Sequence, residues 1–91
     1  MNTKINFTIV LMGIKKELTL EYNIYSFSVY DENGIILDGG SFGYNGRTYF
    51  TDRTCYVELF AEPLEAKVVK LLKRDKETWK KMLEFQNSKK W

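Results

Sequence analysis

Residues 30–46, YDENGIILDGGSFGYNG, hold Asp31, Glu32, Asn33 and Asp38 beside five of the six glycines in the chain. Acids and glycines at this density can build a metal loop or a phosphate cradle, so their spacing decides. A calcium loop of the EF type needs oxygen ligands at alternate positions and a carboxylate at the twelfth. Counted from Asp31, the third position is Asn33, the fifth is Ile35 and the twelfth is Phe42, so the ligand set fails. A phosphate loop needs closely spaced glycines running into a helix whose free N–H groups meet the anion. GGSFGYNG has neither that spacing nor a helical pattern directly after it. Turns between strands account for these residues.

The remaining composition narrows the chemistry further. Histidine is absent, which removes the commonest general base, the commonest zinc ligand and the imidazole triads. Cys55 is the single cysteine, so neither an intrachain disulfide nor a Cys-x-x-Cys motif exists; it reads as a small core residue on a strand in a reducing compartment. LDGGSFGYNG followed by TDRTCYVELFAEPLEAKVVKLL resembles the strand acid and helical glutamate that bind magnesium in ribonuclease H. Only 20 positions separate Asp38 from Glu58, too few for the strands and turns that family places between them, so no catalytic residue is carried over. No enzyme, metal or cofactor is expected.

The elements that must position any binding residues follow from periodicity. Ile5, Phe7, Ile9 and Leu11 alternate with Asn6, Thr8, Val10 and Met12, the period of a strand. This interrupted pattern, with no small-residue cleavage site, argues against a signal peptide, and no run of about 18 apolar residues is available to span a membrane. A cytoplasmic protein without membrane contact is expected. Gly13–Lys16 reads as a turn into Leu18, Leu20, Tyr22 and Ile24. Tyr25, Phe27 and Val29 then continue at the opposite parity, which predicts a bulge or break over residues 23–25.

Asn33-Gly34 predicts a type I′ hairpin turn between strands near 25–30 and 35–38. Gly39-Gly40 ends or kinks the second strand, and residues 43–46 turn again. Arg47–Phe60 supplies one long or two short strands, with Tyr49, Cys55, Val57 and Leu59 sharing a parity. From Glu62 the pattern is helical, with Pro63 suited to the first turn. Leu64, Val68, Leu71 and Leu72 make a core-facing stripe. Asp75 is a candidate N-cap for a second helix bearing Trp79, Met82, Leu83 and Gln86, although the phase also fits one helix over 63–87. The expected fold is a single α+β domain over residues 1–91. An antiparallel meander sheet of four to five strands, over about 4–60, precedes one or two C-terminal helices packed on one face.

Charge is unevenly shared. Residues 1–61 carry five cations against seven acids, net −2, and residues 62–91 carry nine against five, net +4. The six tyrosines lie mostly in the sheet segment. Tyrosines on a less buried sheet face supply rigid, amphipathic contact area, so Tyr25, Tyr30, Asn33, Tyr44 and Tyr49 are candidate partner-binding residues. Lys67, Lys70, Arg74, Lys80 and Lys81 are the alternative set: with the sheet tyrosines as stacking platforms they would bind single-stranded nucleic acid. Glu77 with Lys81 and Lys80 with Glu84 also suit an ordinary solvated helix face. An exposed edge strand, or the Trp79 and Trp91 region, offers a route to a homodimer. A short domain rich in lysine, asparagine and tyrosine looks like the small inhibitors and accessory proteins encoded by phages and mobile elements, anti-CRISPR and other anti-defence proteins among them. That resemblance implies a host protein or protein complex as partner.

Overall fold

A computed structural model of the protein describes residues 2–11, 13–51 and 58–89. Five antiparallel strands follow one another in the sheet in chain order: β1 (Thr3–Leu11), β2 (Ile14–Tyr22), β3 (Ser26–Tyr30), β4 (Ile36–Phe42) and β5 (Thr48–Phe50). Two helices complete the α+β fold, α1 (Glu58–Arg74) and α2 (Lys76–Ser88).

The alternating pattern sorts the two sheet faces. Register pairs Phe7 with Leu18, Ile5 with Leu20, Leu20 with Val29 and Tyr22 with Phe27, so the buried residues of three strands share one face. The stripe Leu64, Val68, Leu71 and Leu72 from α1, with Met82 from α2, closes over that face to form the core. Full burial of side chains such as Leu20, Val29 and Val68 contributes roughly 1.5–3 kcal/mol each. Phe27 sits at the centre of an aromatic group, 5.3 Å from Phe42 and 5.0 Å edge-on to Phe50, while Phe42 meets the Trp79 ring at 6.0 Å.

The parity change at residues 23–25 is a hairpin turn. Tyr22 pairs with Phe27, the Asn23 N–H donates to the Ser26 carbonyl at 3.0 Å, and Asn23 Oδ1 accepts from the N–H groups of Tyr25 and Ser26. The Gly13–Lys16 turn is shorter than expected. Leu11 already pairs with Ile14, Gly13 takes φ 77°, and Lys15 and Lys16 belong to β2. Ile14 through Glu17 are all exposed, so the polar pair of lysines there carries no strand signal.

The Asn33-Gly34 hairpin lies where expected, with a different turn. Gly34 donates to the Asp31 carbonyl at 3.0 Å and the Asp31 N–H donates to the Ile35 carbonyl at 2.9 Å, which makes residues 32–34 a three-residue loop. Gly34 has φ 79°, whereas Asn33 is not among the positive-φ residues, so type I′ is excluded. The Asp31 carboxylate selects this loop, since its Oδ1 accepts from both Asn33 and Ile35 N–H groups. A further irregularity follows at Val29/Tyr30, where Tyr30 pairs with Ile36 but Val29 with Asp38.

Of the one long or two short strands expected over Arg47–Phe60, β5 supplies three residues, and residues 58–60 are helical rather than strand. The expected places of Cys55 and Val57 lie outside the described residues. Pro63 therefore stands inside α1 rather than in its first turn. The helix continues because its buried stripe outweighs the one lost N–H bond. Asp75 separates the helices and caps α2, its Oδ1 accepting from the Thr78 N–H at 3.2 Å.

Candidate interaction surface

The structure divides the five candidate residues between the two ends of the sheet. Tyr30 and Asn33 stand at the end carrying the β3–β4 turn. Tyr25, Tyr44 and Tyr49 stand at the other, where the β2–β3 turn and the β4–β5 connection meet α2. Register places Tyr49 opposite Ser41 and Ser41 opposite Ser26, which puts Tyr49 two strands across and four residues along from Tyr30, roughly 16 Å at ordinary strand spacing.

At that second end the Tyr25 and Tyr49 rings have defined seats. Tyr25 is 57% exposed, and its ring stands edge-on to Phe85 at 5.0 Å. Tyr44 opens the short helical turn Tyr44–Gly46 and is 61% exposed. Tyr49 is 44% exposed on the face away from the helices and lies against Gly43, where an added Cβ would collide with its ring. The Arg47 guanidinium sits 5.4 Å from the centre of the Tyr49 ring, and the Lys89 ammonium 4.6 Å from that of Phe85. Exposed cation–π contacts contribute about 0.5–1 kcal/mol each.

The frame beneath these rings is built from short polar contacts. Asn45 adopts φ 60°, which asparagine tolerates, and its N–H donates to Asn87 Oδ1 at 2.8 Å, tying the β4–β5 connection to the last turn of α2. Gly46, at φ 79°, lies against Trp79 and Leu83, and a Cβ there would come within 2.9 Å of both side chains. Asn23 holds the β2–β3 turn, and its Nδ2 donates to Asn2 Oδ1 at 2.8 Å. These contacts fix the two connections that carry Tyr25 and Tyr44.

A second polar junction lies at the start of α2. The buried Tyr22 hydroxyl donates to Asp75 Oδ2 at 2.7 Å, joining the sheet to the helix N-cap. Burial, then the bond to Asp75, pushes the Tyr22 phenol up from 10.0 to about 12. The same bond, with support from Thr78, holds the Asp75 carboxyl below its ordinary value.

The alternative set occupies a different surface. Lys67, Lys70 and Arg74 stand on α1, with Lys80 and Lys81 on α2, and both helices cover the face opposite Tyr30 and Tyr49. Lys81 pairs with Glu77 at 3.3 Å across one helical turn. The helical cations are therefore on the other face from Tyr30 and Tyr49, whereas Tyr25 stands against Phe85 of α2.

Sequence reasoning missed Phe85, Arg47 and Lys89. The available signal was weak: Phe85 is an aromatic standing off the Trp79, Met82, Leu83, Gln86 stripe. Asp38 was also unforeseen as a core residue; it is fully buried opposite Val29 and accepts from the Gly39 N–H at 2.8 Å. Among the described residues no group of three His, Cys, Asp or Glu side chains could hold a metal ion, and no helix is long and apolar enough to cross a membrane. No family model matches the chain, and neither a curated protein nor a solved structure is significantly similar to it.

Proposed function

We propose that this chain is a small non-enzymatic binding protein that engages a host protein or protein complex through the end of the sheet bearing Tyr25, Tyr44 and Tyr49. One observation carries the reading: three exposed tyrosines stand at the same end of the sheet, Tyr25 against Phe85 of α2 and Tyr49 beneath Arg47 on the opposite face. Tyrosine and arginine dominate the energetics of protein interfaces because they bury large areas and retain a polar handle. In this reading the protein works in the cytoplasm as an inhibitor or accessory factor, of the kind phages and mobile elements use against host defence, CRISPR systems included.

The test is affinity capture from nuclease-treated host lysate with three baits. The wild type should retain one dominant protein, Y25A/Y44A should lose it at unchanged thermal stability, and K70Q/R74Q/K81Q should keep it. Retention of that protein by Y25A/Y44A would remove the tyrosine end from the proposal. Capture that vanishes with nuclease, falls steeply with salt and depends on the helical cations would replace it with nucleic-acid binding.

A further inference from the structure

Among the described residues β1 forms one edge of the sheet, and no described strand pairs with its outer side. The opposite edge, β5, has three residues, whereas β1 has nine. Native edges are usually blunted by brevity, proline, bulges or charge, because open N–H and C=O groups template pairing with another chain. Thr3–Leu11 has no proline, no acid and one lysine, Lys4, and pairs with β2 in unbroken register. Val10, near its end, is 64% exposed.

The ladder identifies which backbone groups face the open edge. The Asn23 N–H donates to Ser26, so odd-numbered β2 residues aim their bonds at β3 and even-numbered ones, Leu18, Leu20 and Tyr22, at β1. Their β1 partners Phe7, Ile5 and Thr3 consequently point inward. The N–H and C=O groups of Lys4, Asn6, Thr8 and Val10 point outward.

We propose that two copies of this chain associate through β1, antiparallel about a two-fold axis at Phe7, into one continuous sheet. The strand is self-complementary in that register. Asn6 faces the partner's Thr8 and Lys4 the partner's Val10, all four being outward-pointing positions that exchange backbone bonds. On the core face Phe7 meets the partner's Phe7 and Ile5 meets the partner's Ile9, shielding side chains at the core border; Ile5 and Ile9 are only half-buried in the single copy. No like charges oppose, since the neighbour of Lys4 on its other side is Glu21. Moving the axis to Asn6 sets Thr3 against Ile9, and moving it to Thr8 leaves Thr3 beyond the partner strand. A second copy fits this mirrored order of apolar and polar residues, whereas an unrelated strand would not require it. The pairing uses none of Tyr25, Tyr44 and Tyr49, so the two proposals stand or fall separately.

Sedimentation equilibrium of the full chain tests the pairing. The wild type should show a reversible dimer mass. N6K/T8K, which sets lysine against lysine in both central pairs, should halve that mass without changing the circular dichroism spectrum. N6E/T8E should do the same, and an equimolar mixture of the two variants should restore the dimer. T8P removes one outward N–H, leaves the Asn6–Thr19 side-chain bond in place, and should also dissociate the dimer. A monomeric wild type at every concentration, a dimer that survives both N6K/T8K and T8P, or a charge-swapped mixture that stays monomeric would overturn the proposal.

Discussion

Replacing Tyr22 by phenylalanine removes a single oxygen from the junction between sheet and helices. The Tyr22 side chain is almost fully buried, and its hydroxyl gives Asp75 Oδ2 a bond of 2.7 Å. A hydrogen bond to a charged group is worth about 1.5–3 kcal/mol. Asp75 is only half-buried and water can replace part of that bond, so the lower end applies, about 1.5 kcal/mol. For a domain of this size that corresponds to a fall in Tm of about 6–12 °C. D75A should cost more, about 2–3 kcal/mol, because the N-cap of α2 is lost together with the tyrosine's acceptor. The Y22F/D75A double variant should be less destabilised than the sum of the single changes, since both remove the same contact.

The same pair sets a pH response at both extremes. The Tyr22 phenol is raised in the folded state, so its contribution is complete below pH 10.0 and is lost as pH rises through about 12. The Asp75 carboxyl is lowered, so its contribution is present above the ordinary value of 3.8 and is lost as pH falls through the folded value. Urea unfolding followed by circular dichroism across pH measures both limbs. Y22F should flatten the alkaline limb attributable to this phenol. Wild-type stability in Y22F, with an unchanged alkaline limb, would refute the Tyr22–Asp75 clasp.

Gly40→Ala would drive a Cβ into the Tyr49 carbonyl on β5, so β4–β5 pairing should open, with loss of amide protection over Thr48–Phe50 and a cost of about 1–3 kcal/mol or more. Gly34→Ala meets no neighbour and suffers only from φ 79°, so denaturant unfolding should register about 1–2 kcal/mol. Phe27→Ala removes the ring at the centre of the aromatic group and should cost about 3–5 kcal/mol, read as a large fall in the urea midpoint.

Much of the fold was legible because its local signals agree. The alternation in residues 5–11 and 18–29, the glycine turn after Asp31 and the cap at Asp75 each reflect short-range stereochemistry or a burial period. The misread features depend on choices that residue type alone leaves open. Three-residue closure at Asp31–Ile35 depends on how one carboxylate bonds two backbone N–H groups, and Asn-Gly alone suits either turn. The early start of α1 is hidden in the sequence because Pro63 suits a first turn, although helix packing tolerates it further in. Of the candidate site, the residue types were legible and their grouping was not. Tyr25, Tyr44 and Tyr49 share one end of the sheet only because the meander brings the β2–β3 and β4–β5 connections to that end, while Tyr30, equally plausible in sequence, stands at the other.

The sequence by itself determined which residues alternate, which face is apolar, where the chain must turn, and that histidine and paired-cysteine chemistry are absent. These are consequences of side-chain period and composition, and each can be read within a few residues. Only the tertiary structure decided that Tyr22 ties the sheet to α2, that Asp38 enters the core, and that the nine residues of β1 form an edge of the described sheet. Each of those depends on which elements become neighbours, and that is settled by packing two layers around one core.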